Sequence, residues 1–121
     1  MKFKFLLWML ANLLKRAIRS NPDCARHVDG KNLTFQIRTI DGIGRYYTVA
    51  NGKISSSPGI ATGAKFTLTF SDAAAGFRIL SAKDSKGAFL AGLHDNELSV
   101  SGDFVEVMWF QGLTEYLQPG R

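Results

Sequence analysis

The chain has 121 residues, of which 45% are hydrophobic and 21% charged, which matches one globular domain burying about two-thirds of its unfolded surface and requires no second domain. Its one cysteine, Cys24, excludes an internal disulfide, so the fold must hold without a covalent staple and is compatible with a reducing cytosol. The net charge of +5 resides in the first twenty residues, where Lys2, Lys4, Lys15, Arg16 and Arg19 meet no acidic side chain, while ten basic and ten acidic side chains balance over the rest.

A basic arm of this kind suits an anionic membrane surface, nucleic acid or an acidic partner, and charge alone does not choose among them. Residues 3–18 place Phe3, Leu6, Leu7, Leu10, Leu14, Ala17 and Ile18 on one helical stripe. Phe5, Trp8, Met9 and Leu13 fall largely off it, so the predicted helix has more apolar surface than one docking face requires, and the surplus needs a partner, a ligand or a membrane. Phe5, Trp8 and Met9, with Lys15 and Arg16, are therefore the expected lid or membrane-contact residues. Lys15 and Arg16 cut the apolar run short of the roughly 20 residues a membrane span needs. No small-residue cleavage pattern of a secretory signal follows Phe5 to Ala11. Asn21-Pro22 ends the helix, because proline disfavours helical geometry in the residue before it.

Asp23 to Asn32 reads as a short turn or helix broken at Gly30. Cys24 and His27 lie three apart, but a zinc site wants about four such ligands and His94 is the only other histidine or cysteine, so no metal site is expected. From Leu33 the period changes to two: Leu33, Phe35 and Ile37 alternate with Thr34, Gln36 and Arg38 as in a half-buried strand. Asp41 to Gly44 turns the chain into a return strand carrying Tyr47 and Val49 on one side. Asn51-Gly52 is a two-residue hairpin signal leading into a polar edge strand at Lys53 to Ser57. Gly42 and Gly44 lack the further glycine, the following helix and the Gly-Lys-Ser/Thr ending of a phosphate loop.

Phe66, Leu68 and Phe70 alternate with Thr67, Thr69 and Ser71 in a fourth strand. Ser71 or Asp72 caps a helix expected to bring Ala73, Phe77 and Leu80 to one side, and Asp84-Ser85 opens another that contributes Phe89, Leu90 and Leu93. Leu98 and Val100 mark the buried face of a fifth strand. Asp103, three residues before Glu106, is a capping-box-like start for the last helix. That helix has two apolar stripes, Val105, Met108, Trp109, Gly112 and Tyr116 on one, and Phe104, Val107, Phe110, Leu113 and Leu117 on the other. Gly112 in its interior permits close approach by another element.

The order of these elements, with Asp29-Gly30-Lys31, Asn51-Gly52-Lys53-Ile54, Phe70-Ser71-Asp72 and Leu98-Ser99-Val100-Ser101-Gly102-Asp103 at their junctions, resembles the sterol carrier protein 2 type domain from about Pro22 to Leu117. The resemblance implies an α+β fold: a five-stranded, mostly antiparallel sheet with helices packed on one face, enclosing an apolar cavity. Residues 1–20 would be a basic amphipathic helix and 21–121 the lipid-binding domain. It implies a non-catalytic carrier, without a cofactor, whose partner is a fatty acyl lipid, phospholipid, sterol-like or isoprenoid molecule. Phe66, Leu68, Phe77, Leu80, Phe89, Leu93, Met108 and Trp109 are the implied cavity lining. The greasy basic first helix is more like bacterial standalone members, some of which resemble accessory proteins of ubiquinone biosynthesis that handle an isoprenoid product or bind the enzymes modifying it.

Other classes fare worse. The basic residues are confined to one apolar helix, and no recognition motif with interleaved aromatics accompanies them, so nucleic acid is not an expected partner. Neither histidine sits in a nucleophile or metal pattern, and Asp72, Asp84 and Asp103 already serve as helix starts, so an enzyme is not expected.

Overall fold

The computed structural model describes residues 2–117. Two helices, α1 (Lys2–Ser20) and α2 (Pro22–Val28), precede three strands, β1 (Leu33–Thr39), β2 (Gly44–Ala50) and β3 (Lys53–Pro58). Then come β4 (Phe66–Phe70), α3 (Ala73–Leu80), α4 (Ser85–His94), β5 (Leu98–Gly102), α5 (Phe104–Thr114) and a 3-10 turn, Glu115–Leu117.

Side-chain caps set most boundaries. Asn21 closes α1, its N–H donating to Ala17 O at 2.9 Å, and opens α2, its Oδ1 accepting from the N–H of Asp23 at 2.9 Å while Pro22 takes the first helical position. Asp72 caps α3 through Ala75 N at 2.8 Å, Asp84 caps α4 through Gly87 N at 3.0 Å, and Asp103 caps α5 through Val105 N at 2.9 Å. Asn51 and Gly52 adopt φ of 55° and 74°, the left-handed pair a tight hairpin requires.

Among the described residues the sheet has five strands in the order β3-β2-β1-β4-β5. β1 and β4 are parallel and the other three pairings antiparallel, so the sheet is mostly antiparallel, as expected. Register and alternation put Leu33, Phe35, Ile37, Tyr47, Val49, Ile54, Phe66, Leu68, Phe70, Leu98 and Val100 on one face, which the helices cover. The other face carries Thr34, Gln36, Thr48, Ser55, Thr67 and Ser101. Residues 59–65 cross that polar face from β3 to β4. Gln36 is buried beneath them, its amide donating to Thr67 Oγ1 at 2.9 Å and its oxygen accepting from Ala61 N at 2.9 Å. A buried amide with both ends satisfied costs little and pins the crossover in place.

Three helical faces differ from expectation. In α3 the inward residues are Ala75, Gly76 and Ile79, whereas Phe77, expected to face inward with Ala73 and Leu80, is 42% exposed. The reason is the approach of α1: a methyl group at Gly76 would stand 2.5 Å from the Phe3 ring, so the glycine face is the one that fits. In α4, Phe89 and Gly92 are buried and Leu90 is exposed, because Gly92 admits the side chain of Ile79. In α5 the stripe Val107, Phe110 and Leu113 enters the core, while Val105 is 76% exposed. Glu106 does not complete a capping box; its carboxylate pairs with Lys31 Nζ at 2.5 Å.

Candidate functional site

The centre of the helix-covered face is a stack of rings. Phe35 on β1 lies between Tyr47 on β2 and Phe66 on β4, with ring centroids 5.0 Å away on either side and interplanar angles of 13° and 7°. Phe110 of α5 caps Phe35 at 4.9 Å. All four side chains are fully enclosed. Tyr47 Oη donates to Leu7 O at 2.8 Å, which satisfies the buried hydroxyl and ties α1 to the sheet. Burial pushes the Tyr47 phenol well above its ordinary value, the nearby Arg45 opposing this only in part.

One flank of this stack is fastened by polar groups. Trp109 Nε1 donates to His27 O at 2.8 Å, and His27 Nε2 lies 2.8 Å from Trp109 O, giving a reciprocal clamp between α2 and α5. The two rings are stacked, with centroids 5.7 Å apart at 7°. Gly112 permits this approach, since a methyl there would meet His27 Cε1 at 3.2 Å. Lys31 Nζ sits 5.3 Å from the Trp109 ring centroid while holding Glu106, a cation over an aromatic face.

A second side of the helical layer is lined mainly by leucines. Leu6, Leu10 and Leu13 on one side of α1 face Leu80 at the end of α3 and Leu117 of the 3-10 turn, with Ser81 and Lys83 at the rim, and enclose an open groove of about 250 Å³. Leu13 is 39% exposed there. Leu6, Leu10 and Leu13 are one helical seam, spaced i, i+4, i+7, and that spacing was the available sequence signal for this groove.

The implied lining residues do not share one surface. Phe66, Leu68 and Phe89 are buried in the packed core, and Leu80, Leu93 and Trp109 are half-buried against it. Met108 is half-buried on α5, and Phe77 stands on the outer side of α3. Leu80 is the member that borders the groove. Trp109 has a separate structural partner in His27.

The outward face of α1 carries Phe5 and Trp8, 56% and 50% exposed, with their ring centroids 5.8 Å apart. Met9 is half-buried beside them, and Lys15, Arg16 and Arg19 are exposed about two to three turns beyond Trp8. Beyond Lys4, exposed rings are thus followed by exposed basic side chains along one helix. Of the residues weighed for metal binding, Cys24 is buried, with desolvation pushing its thiol up so that it stays protonated, and His27 is held in the clamp with Trp109. His94 is exposed and hydrogen-bonded to the Asp95 carboxylate at 3.0 Å. No described helix is long and apolar enough to cross a membrane.

The sequence matches no family model and no curated protein. Its backbone is similar to a solved structure described as a UbiJ-SCP2 ubiquinone synthesis protein, with a TM-score of 0.67 at 17% identity over 93% of this chain and 91% of that one. It is similar to a crystal structure of sterol carrier protein 2, with a TM-score of 0.60 at 12% identity over 90% of this chain and 93% of that one. It also matches part of the sec-alkylsulfatase Pisa1 from Pseudomonas sp., with a TM-score of 0.58 at 18% identity, over 74% of this chain and 14% of that enzyme. The chain has the sterol carrier protein 2 fold.

Proposed function

We propose that the protein binds a long apolar chain, acyl or isoprenoid, without catalysing a reaction on it, and that the chain lies in the groove of Leu6, Leu10, Leu13, Leu80 and Leu117. The groove carries this reading: an open, mainly apolar recess of about 250 Å³ bordering buried Leu10. Its walls face water, so each methylene laid against them contributes about 0.8 kcal/mol. The fold shared with sterol carrier protein 2 supports the same reading. Phe66, Leu68, Phe89, Leu93, Met108 and Trp109 would meet the chain only where the helices part from the sheet. Of the polar groups at the groove, the Ser81 hydroxyl is engaged with the backbone, donating to Phe77 O at 2.5 Å.

Binding of a fluorescent fatty acid tests this directly. Affinity should rise with chain length until the groove is filled. Leu13→Glu and Leu80→Glu should each weaken it by roughly tenfold or more, because a carboxylate would have to be desolvated against the chain. Unchanged binding in both variants would reject the groove.

The second part of the proposal concerns the source of the ligand. The outward face of α1, with Phe5, Trp8 and Met9 ahead of Lys15, Arg16 and Arg19, contacts an anionic bilayer at its cytoplasmic face, apolar side chains entering the interface and basic ones meeting headgroups. Phosphatidylglycerol vesicles should retain the protein and release it in high salt, and Phe5→Ser with Trp8→Ser should abolish retention. A second reading makes the protein an accessory factor in isoprenoid quinone synthesis that acts by contacting biosynthetic enzymes. The similarity to the ubiquinone synthesis structure over nearly its whole length favours it. Co-purification of quinone-modifying enzymes that survives Leu13→Glu would select this reading over the carrier.

A further inference from the structure

A second recess, of about 350 Å³, lies between the first turns of α1 and the β1–β2 turn, lined among others by Lys4, Leu7, Asp41, Ile43, Arg45 and Pro58. Arg45 is the anomaly. It stands on the helix-covered face of the sheet, opposite Ile37 on one side and Pro58 on the other, in a row where its neighbours are apolar. It is half-buried, and its Nε donates to Ser56 Oγ at 2.8 Å. Among the described residues no carboxylate lies within ion-pairing distance of Arg45 or Lys4. Asp41, the one carboxylate in the lining, accepts from the Thr39 hydroxyl instead.

Arg45 is thus a half-buried guanidinium with no carboxylate within ion-pairing distance among the described residues, an arrangement that favours an incoming anion. Its remaining N–H groups form a fork that fits two oxygens of one anion. Lys4 adds a second positive charge from the opposite wall, in the first turn of a helix that carries no acid there. Leu7, Ile43 and Pro58 make the rest of the lining apolar. We propose that this recess binds an oxyanion attached to an apolar body, a phosphate group above all, with Arg45 as the bidentate donor and Lys4 as the second cation. The proposal is independent of the leucine groove.

The phosphate can come from an amphiphile or from solution, and one titration separates the two. The Arg45 Nε–H resonance of the full chain would be followed by ¹⁵N NMR during addition of dihexanoylphosphatidate below its micellar concentration and, separately, of inorganic phosphate. A saturable shift with the amphiphile alone supports a lipid headgroup, and an equal shift with inorganic phosphate supports free phosphate. Arg45→Gln, followed through backbone resonances of Ile43 and Gly44, should weaken binding by roughly tenfold or more, and Lys4→Gln, at an exposed position that leaves the fold intact, by about threefold. The absence of any saturable shift, or wild-type affinity in both variants, would overturn the proposal. Leu13→Glu should leave this titration unchanged, which keeps its outcome distinct from that of the groove.

Discussion

The two flanks of the central ring stack are closed by different means. On the α2–α5 flank, His27 and Trp109 exchange hydrogen bonds, their rings stack, and Lys31 reaches across to Glu106. On the α1–α3 flank, leucines meet across a groove whose polar groups, Ser81 and Lys83, stand at the rim. Directional bonds fix a single geometry, whereas apolar contacts are non-directional and can be re-made against a different surface, including that of a ligand. One flank is therefore held in a single geometry, and the other carries the groove proposed to take an apolar chain.

Substitution experiments can break this contrast. The largest loss is expected at the stack both flanks share: Phe35→Ala should cost about 4 kcal/mol in denaturant unfolding, a large part of a domain's stability. If the cost were under about 1 kcal/mol, the stack would not be the organising core. On the fastened flank, His27→Phe keeps the ring and removes the hydrogen bond to Trp109 O, for a loss of about 1 kcal/mol.

Tyr47→Phe should likewise cost about 1 kcal/mol at neutral pH, because the bond to Leu7 O is lost. It also carries a pH signature. The unfolded chain ionises this tyrosine near pH 10, while burial holds the folded phenol protonated to higher pH. Stability is thus fully present below about pH 10 and falls as pH rises above it, and Tyr47→Phe should flatten that alkaline limb when unfolding midpoints are compared from pH 8 to 11. The smallest effect belongs to the open flank. Leu13→Glu should change stability by no more than about 0.5 kcal/mol, since the side chain already meets solvent, while it removes ligand uptake. A loss of several kcal/mol there would show the leucines to be core and erase the distinction between the flanks.

Much of this architecture was legible beforehand. The caps at Asp72, Asp84 and Asp103 act within three residues of themselves, Asn21-Pro22 marks the end of α1, and the alternation in β1 and β4 reports a sheet with one wet face. Gly112 was legible as a point of close approach, though not that His27 would be the group approaching it. Phe77 was misplaced because helical spacing offers several compatible faces, and the choice among them was made by Phe3, more than seventy residues earlier, which needed the bare surface of Gly76.

The sequence by itself determined the order and type of the elements, the alternating core of the sheet and the concentration of surplus apolar and basic side chains in α1. These follow from contacts between residues close in the chain, or from a periodicity that repeats within one element. Tertiary structure alone decided that Leu6, Leu10 and Leu13 would face Leu80 and Leu117, and that Arg45, which alternation puts on the face of Tyr47 and Val49, would share a recess with Lys4. Both depend on where α1 settles across the sheet. That position is set by the fit of Phe3 to Gly76 and of Leu7 to the Tyr47 hydroxyl, contacts between segments that no local pattern relates.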